Sequence, residues 1–594
     1  TMGALSATWK PVIRKPFEPL VPNIEFVRAG DPIAMYEAFS ATGLGQYGKG
    51  PVAAVILELI QGEAGVRPLD VAYVKKVREM CDINHALLII DEVQTGIGRT
   101  GSWFAFQRED LTGGITPDIV TFAKGVAGGF PMGGMISFGG KLSALFTPGS
   151  HGSTFAGNPY LIDLDQLVQN GWLKQEELDR VSWGSREDQV DFSTMYDQRL
   201  HVLHLAWSRF HKAPADGYAE YLEQQKSWLY EYVLFMAVKA YYNDGPWTQW
   251  PLDIRMHQPE AMARYREQLR DEIDFQSFLQ FCFHTQWQRL RAYAHENGIQ
   301  IIGDIPIYVP LDSADVWSHP ENFQLTRTRR PRVVAGCPPD GFNANGQYWG
   351  NPIYDWDAME SDGFSWWEGR IRAALDMYDV IRLDHFRGFE AYWEVPFSSP
   401  DSSYGSWTQG PGLKFFKTLE EKLGTLPIIA EDLGFLTPGV IDMRDNSGFP
   451  GMKILQFAFE GTNSYYLPHN YIANTVAYVG THDNETARGW FEGTATPRQR
   501  EQAALYTHQQ AGEPMADALN RAIAASVSDT CIYTMQDLLN LGNEARINTP
   551  ATMGGNWTWR MLDGAITREL EHKLTGWTET YFRIPSEDEI ELPQ

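Results

Sequence analysis

Six short apolar runs between residues 298 and 539 each end in a polar cluster that contains an acid. They are GIQIIGDIPIYV (298–309), YDVIRLDHFRG (378–388), LPIIAEDLG (426–434), MKILQFAFE (452–460), TVAYVGTHDNE (475–485) and DTCIYTMQDLL (529–539). Buried parallel strands with acids at their carboxyl ends are typical of the active face of a (β/α)8 barrel. The pattern therefore predicts an α/β fold of the (β/α)8 type, with six barrel strands in place of eight.

Three of these strand ends carry residues suited to breaking a glycosidic bond. Retaining cleavage needs a carboxylate nucleophile and a carboxylic acid about 5 to 5.5 Å apart, and Asp384 and Glu431 end successive strands. Arg382 lies two residues before Asp384, on the same side of the strand, where its charge would keep that carboxylate ionised. Burial after the run PIIA would raise the pKa of Glu431 toward that of a general acid. The pair His482 and Asp483 could bind sugar hydroxyls and distort the ring.

Each acid taken singly has a commoner interpretation as a solvated loop carboxylate or a helix cap. Three acid-bearing strand ends, one of them with an arginine at minus two, argue against that interpretation. The pattern therefore favours a catalytic site.

Longer stretches carry a family resemblance. IRLDHFRGFEAYWEVP, IIAEDLG, VGTHDNET, GDIPIYVPLDSADVW and NLGNEARINTPATMGGNWTWR resemble the 4-α-glucanotransferases, or amylomaltases, of glycoside hydrolase family 77, from about Ala156 to near the C-terminus. The resemblance implies these roles: Asp384 nucleophile, Glu431 acid/base, Asp483 transition-state stabiliser, Arg382 and His482 their supports, and Asp304 and Asp432 further substrate-side positions. It also implies transfer of a 1,4-α-glucan segment from maltooligosaccharides to the 4-hydroxyl of glucose or another glucan, by a retaining double displacement that needs no cofactor.

The segment AGCPPDGFNANGQYWGNPIYDW (335–356) resembles the mobile loop over the acceptor sites of that family. Phe342 and Trp349 are candidate platforms for glucose rings, because the apolar face of a sugar packs on aromatic rings. The alternative for Trp349 is a place in the core. Closure of such a loop would exclude water and favour transfer over hydrolysis.

The first part of the chain has a different pattern. The apolar runs VAAVILELI (52–60), ALLIIDEV (86–93), PDIVTFAK (117–124) and GGMISFG (133–139), with a segment of helical period between the first two, predict a partial parallel α/β sheet. Asp91 and Lys124 end two of the runs. Taken singly, a helix-capping aspartate and a surface lysine are the commoner interpretations.

Four stretches of this part, ILELIQGEAGVRP, LLIIDEVQTGIGRTG, PDIVTFAKGVAGGFPMGG and HGSTFAGNP, resemble class III pyridoxal-phosphate aminotransferases of the ornithine and acetylornithine type. The resemblance implies that Asp91 pairs with the pyridine nitrogen, Gln94 lies beside the ring hydroxyl, Lys124 forms the Schiff base, and Thr154 reaches the phosphate of a neighbouring subunit. It covers a central slice of that family's large domain, without its Gly-rich phosphate loop or its small domain. Because the phosphate cradle supplies much of the binding energy, we expect little or no transamination.

The two resemblances meet in HGSTFAGNPYLIDLDQL (151–167), at the short motif F.GNP that both families share. Residues 1–160 hold 13 Lys or Arg against 14 Asp or Glu, and two of the 20 tryptophans, whereas the whole chain carries a net charge of −26. This difference in charge and tryptophan content predicts two domains, a partial aminotransferase large domain over 1–157 and a glucanotransferase barrel over 158–594. Three functions follow as alternatives: a glucanotransferase, an aminotransferase, or an inactive hybrid.

Composition excludes several partner classes. A net charge of −26 disfavours nucleic acid, where phosphate contacts need clustered Lys and Arg. No apolar stretch approaches the length that spans a bilayer, and the segment TMGALSATWKPVIRKPF lacks the apolar region of a signal peptide. The four scattered cysteines predict reduced thiols in a cytoplasmic protein, and no metal site is expected.

Overall fold

A computed structural model of the chain describes most of its residues. They are 24, 26–40, 52–61, 66–84, 86–95, 100, 102, 104–123, 133–137, 155–184, 186–339, 345–434, 436–461, 464–550, 552 and 554–583. The chain divides into two compact units, Thr1–Pro148 and Gly149–Gln594. No helix in these ranges is long and apolar enough to cross a membrane.

The first unit contains a four-stranded sheet covered by a helix. Its elements are α1 (Pro32–Ser40), β1 (Ala54–Leu57), β2 (Ile60–Gln61), β3 (Arg67–Pro68), α2 (Val71–Ile83), β4 (Leu87–Asp91), α3 (Glu109–Thr112), β5 (Ile119–Ala123) and β6 (Gly133–Ser137). The side chain of Asp70 caps α2 by accepting from two of its first amides, and the helix then buries Val74 and Val77 against Leu88 and Ile90 of β4.

The strand order in this sheet is β1-β4-β5-β6. The first three strands are parallel, as predicted, but β6 pairs antiparallel with β5, with Ile119 opposite Ser137. The expectation of a parallel fourth strand was therefore wrong. The apolar run alone could not reveal strand direction, because direction depends on which strand the run pairs with and how the chain reaches it.

The second unit is built on a six-stranded parallel sheet. In spatial order the strands are β16 (Thr530–Ile532), β15 (Thr475–Tyr478), β14 (Gly451–Ile454), β13 (Ile428–Ala430), β10 (Val380–Leu383) and β7 (Ile302–Ile305). Five lie within the predicted apolar runs and β14 begins one residue before its run, so the predicted strand set is confirmed. Within the described residues of this unit, β7 and β16 are the edges of the sheet, which is therefore open as a barrel.

Alternate residues of these strands face opposite sides of the sheet. Ile429, Met452 and Val476 form one small core on the inner face. Ile381 and Leu383 point outward and join a much larger core with the surrounding helices. Because Arg382 pairs in register with Ile429, its side chain belongs to the inner face.

Helices and a second sheet surround the barrel strands. The helices are α4 (Leu164–Gln169), α5 (Gln175–Leu178), α6 (Phe192–Phe210), α7 (Tyr218–Gln224), α8 (Lys226–Tyr241), α9 (Leu252–Arg255), α10 (Pro259–Gln268), α11 (Arg270–Glu296), α12 (Ala314–Ser318), α13 (Trp356–Ser361), α14 (Ser365–Met377), α15 (Gly412–Leu423), α16 (Pro438–Ser447), α17 (Ala487–Gly489), α18 (Pro497–Tyr506), α19 (Met515–Ala524), α20 (Met535–Leu538) and α21 (Arg568–Thr580). The second sheet is antiparallel, in the order β12 (Ser406–Gln409), β11 (Ala391–Pro396), β8 (Val333–Cys337) and β9 (Gln347–Pro352).

The F.GNP motif (155–159), which both families share, packs within the second unit. Phe155 stacks 6.4 Å from Trp228 and contacts Trp366 edge-on at 6.1 Å. The amide of Gly157 donates to Oε1 of Gln280 at 2.8 Å, and Nε2 of Gln280 donates back to the Gly157 carbonyl at 2.9 Å. This short segment therefore anchors the start of the barrel unit to α11.

Candidate active site

The sheet register places the two principal acids at one level. Leu383 of β10 pairs with Ala430 of β13, so Asp384 and Glu431 are the next residues on two neighbouring parallel strands. Adjacent strands lie about 4.8 Å apart, which brings side chains on the same face into the separation range of a retaining carboxyl pair. The backbone also joins the two ends, because the Glu431 amide donates to the Leu383 carbonyl at 3.1 Å.

Arg382 bridges two carboxylates on the inner face. Its Nη1 donates to both oxygens of Asp304, at 2.9 and 2.7 Å, and to Oδ1 of Asp384 at 3.1 Å. Burial raises the pKa of Asp384 and the Arg382 guanidinium lowers it, while Asp304 and Asp483 add to the rise. Since 43% of the Asp384 side chain stays exposed, this carboxylate is both reachable and paired with a buried cation.

Glu431 has a contrasting environment. Burial, with the negative charge of Asp384 second, raises its pKa to about 8, although Arg382 opposes the shift. Its Oε2 accepts the backbone amide of His385 at 2.8 Å, and its Oε1 accepts that of Leu433 at 2.9 Å. The carboxyl is thus fixed in position, and its raised pKa suits a general acid.

The segment that contains Arg546 and Asn548 holds Asp483. This segment is part of a family motif, but the sequence predicted no role for it. Nδ2 of Asn548 donates to Oδ1 of Asp483 at 2.6 Å, and Nη2 of Arg546 donates to the Asp483 carbonyl at 2.7 Å. His482 lies 3.3 Å from Oδ2 of Asp483, and its ring packs 5.2 Å from that of Trp557. An arginine and an asparagine two residues apart, in the loop after α20, could have signalled this support.

Trp349 lies on β9 and not in the core. Its side chain is 37% exposed, and its ring meets the His385 ring edge-on at 5.0 Å and that of Tyr308 at 6.5 Å. Because His385 follows Asp384 directly, this indole stands beside the acid pair with part of its surface free. Phe342, the second predicted platform, lies outside the described residues.

The predicted substrate-side role of Asp432 is not compatible with its position. Its side chain is 1% exposed, Arg444 of α16 donates to Oδ2 at 2.7 Å, and the Met452 amide donates to Oδ1 at 2.8 Å. Asp432 follows Glu431 on an extended strand end, so its side chain points to the opposite face. It joins β13 to β14 and α16 behind the acid. Asp304, by contrast, has a side chain 46% exposed on the inner face.

The cofactor residues predicted in the first unit are only partly described. Lys124 and Thr154 lie outside the described residues. Oδ1 of Asp91 accepts the Val93 amide at 3.0 Å and the Thr121 hydroxyl at 3.2 Å, so one oxygen is committed to the turn after β4. Gln94 lies three residues beyond Asp91, in the same turn, and the role of these residues toward pyridoxal phosphate stays a prediction.

A parallel barrel-type sheet with two carboxyl groups at one level, one paired with arginine and one with a raised pKa, defines the class of glycoside-cleaving enzymes that use a carboxyl pair. Residues 130–566 match the family model of the 4-alpha-glucanotransferases, glycoside hydrolase family 77. The chain belongs to this family, as the motifs predicted.

Relatives of known identity agree. The chain is similar to the 4-alpha-glucanotransferase of Clostridium butyricum, at 45% identity over 73% of this chain and 89% of that protein. It is 43% identical to that of Thermus thermophilus over 73% of this chain and 88% of the relative. Among solved structures, amylomaltase from Streptococcus agalactiae in complex with acarbose superposes with a TM-score of 0.71 at 35% identity, covering 89% of this chain and 99% of that one.

A second family model, that of class III aminotransferases, matches residues 1–174. The two matched ranges overlap around the shared motif, which confirms the double resemblance predicted from sequence. The enzyme class is set by the larger match, which contains all three predicted catalytic acids.

Proposed function

We propose that this enzyme transfers a 1,4-α-glucan segment from a maltooligosaccharide to the 4-hydroxyl of glucose or of another glucan, by a retaining double displacement. One observation carries the proposal: Asp384 and Glu431 end paired strands at the same level, and their environments differ. A carboxylate beside arginine suits a nucleophile, and a half-buried carboxyl with a pKa of about 8 suits an acid.

In the first displacement, Asp384 attacks the anomeric carbon of the donor sugar, and the glycosidic bond breaks. Glu431 gives its proton to the leaving oxygen, so the departing glucan becomes neutral. Arg382 balances the charge of Asp384 before attack, and Asp483, oriented by Asn548, accepts hydrogen bonds from hydroxyls of the distorted ring. The products are the donor's non-reducing segment, bound through its anomeric carbon as an ester of Asp384, and the released reducing-end fragment.

In the second displacement, Glu431 acts as the base. It removes the proton from the 4-hydroxyl of an incoming sugar, whose oxygen attacks the anomeric carbon and releases Asp384. Trp349 offers an apolar platform for that sugar next to the acid pair. A sugar stacked there displaces water from the ester, which favours transfer over hydrolysis.

The proposal extends to the reaction's setting. Glucose and short maltooligosaccharides are the proposed acceptors, no cofactor takes part, and the cytoplasm is the proposed location. The cysteine content supports that location, because four scattered cysteines without a CxxC pair are typical of reduced thiols in a reducing compartment.

The test is incubation of the purified chain with maltotriose alone. We expect glucose together with maltopentaose and longer glucans, resolved by chromatography, and we expect Asp384→Asn to remove all products. Glucose and maltose without longer sugars would mean hydrolysis, and an unchanged substrate would mean that the chain is an inactive hybrid.

A further inference from the structure

Lys453 of β14 is a buried, chargeable side chain that the catalytic roles above leave unused. It is fully buried, and within the described part of the chain its Nζ makes no hydrogen bond. Burying an ammonium without a hydrogen-bonding partner costs free energy, so such a residue needs another favourable contact. Burial lowers the pKa of Lys453 to about 8, while the charges of Asp432 and Asp445 oppose this shift and that of Arg444 adds to it.

The register of the sheet places Lys453 behind the catalytic acid. Ala430 of β13 pairs with Gly451 of β14, and Asp432 and Lys453 each lie two residues further along their strands. The residues on either side of Lys453 belong to the inner core, so its own side chain points to the outer face. Lys453 therefore shares this face with Asp432, the residue that follows Glu431.

The contact that Lys453 makes is with the ring of Tyr465, in the loop between β14 and β15. Its Nζ lies 3.0 Å from the centroid of this ring, which is the geometry of a cation–π pair. Nη1 of Arg444 donates to the Tyr465 hydroxyl at 3.1 Å. Since 41% of Tyr465 is exposed, these two cations supply much of what fixes its position.

Tyr466 connects this contact to Glu431. Its ring meets that of Tyr465 edge-on, with 5.9 Å between centroids. Burial raises the pKa of Tyr466 to about 12, two nearby carboxylates that include Glu431 add to the rise, and a hydrogen bond from the Gly434 backbone opposes it. Tyr466 therefore lies against the turn after Glu431, in which the Leu433 amide donates to the Glu431 carboxyl.

We propose that Lys453 is a positioning residue for the catalytic acid. Its ammonium binds the face of Tyr465, which fixes Tyr466 against the turn that holds the Glu431 carboxyl. This inference rests on the proposed transfer reaction and deepens it. Lys453 lies on the outer face of the sheet, away from the reacting atoms, and acts by keeping the acid at the level of Asp384.

Two substitutions remove the contact from its two sides. Lys453→Met keeps an unbranched side chain without the charge, so the free energy of unfolding should be unchanged or higher. Tyr465→Leu changes a partly exposed position and tests the same contact if Lys453→Met does not fold. Tyr465→Phe keeps the ring face. Tyr404→Leu is the matched control, because Tyr404 is 62% exposed in the connection between β11 and β12.

The measurement is maltotriose disproportionation by the full chain over a range of pH. Lys453→Met and Tyr465→Leu should each lower kcat about tenfold with little change in KM, because a displaced acid slows proton transfer while the sugar still binds. The double variant should lose no more than either single variant. The alkaline limb should move to lower pH in both, because a displaced carboxyl gains contact with water and its pKa falls. A role in stability alone would leave kcat and this limb unchanged.

A kcat and an alkaline limb equal to those of the parent would overturn the inference, as would additive losses in the double variant or an equal loss in Tyr465→Phe. Failure of the proposed function is a separate result, in which the parent itself makes no longer glucans. In that event, the titration of the Glu431 carboxyl, followed as the infrared difference between each enzyme and its Glu431→Gln variant, decides without turnover. A lower midpoint in Lys453→Met than in the parent supports the inference, and equal midpoints overturn it.

Discussion

At the scale of single residues, the site depends on two carboxyl groups with opposite tasks. Asp384 has a guanidinium neighbour and an exposed edge, whereas half-buried Glu431 lies beside the negative charge of Asp384. This difference has two local causes. Arg382 and Asp384 lie two residues apart and therefore share a face of β10, whereas Glu431 follows the apolar residues of β13. Interacting acids of this kind titrate as a pair.

The first prediction concerns pH. Glu431 must carry a proton for the first displacement, so kcat/KM should be full below its pKa of about 8 and should fall as the pH rises through that value. Asp384 must be ionised, and its raised pKa places the acidic limb above the ordinary range of aspartate. The measurement is the pH profile of maltotriose kcat/KM. Glu431→Gln should lower the rate about 10²- to 10⁴-fold and remove the alkaline limb; an alkaline limb that persists would contradict the assignment.

The second prediction concerns the guanidinium. Arg382→Met leaves Asp304 and Asp384 without their shared cation, so the acidic limb of the profile should move to higher pH. The loss of hydrogen bonds to a charged group should lower kcat/KM about 10- to 100-fold. Arg372→Met is the control, since Arg372 forms an exposed pair with Glu368 on α14. Equal effects of the two substitutions would argue against a special role of Arg382.

At the scale of elements, segments between the strands and helices hold the acids that follow the strands. Asp483 lies five residues beyond the end of β15, and the segment after α20 returns to hold it through Asn548 and Arg546. Behind Glu431, Arg444 of α16 forms a buried ion pair with Asp432. The inner face thus presents acids for chemistry, and the outer face uses an acid to join β13 to a helix.

The third prediction tests the support of Asp483. Asn548→Ala removes the 2.6 Å bond to Oδ1, so the carboxylate should lose its fixed orientation and kcat should fall about tenfold. The readout is maltotriose disproportionation at saturating substrate. Asn446→Ala is the control, because Asn446 is exposed on α16 and donates to its own helix. A normal kcat in Asn548→Ala would show that Asp483 needs no such support.

At the scale of the whole molecule, the sheet of the second unit is open. Within its described residues the edges are β7 and β16, and Ile302 of β7 is 41% exposed although its side chain belongs to the inner face. Unpaired strand edges with apolar side chains promote association between chains. We therefore expect the two open edges of this sheet to lower the stability and the solubility of the protein.

The fourth prediction follows from that edge. Ile302→Lys should reduce concentration-dependent association, because a charge on an edge strand opposes pairing with a second chain. Static light scattering across a dilution series measures it. Ile472→Lys, at an exposed loop position, is the control and should change association less. Equal association of the parent and Ile302→Lys would exclude this edge as the contact.

Much of this molecule is determined by its local sequence. Buried apolar runs that end in acids identified all six barrel strands, and Arg382 at minus two from Asp384 identified their shared face, because both signals depend only on local sequence and the geometry of one strand. Two families in one chain were also visible in local motifs. The direction of β6, the burial of Asp432 and the bond between Asn548 and Asp483 were decided by tertiary structure alone, because each depends on which distant segment packs against the residue.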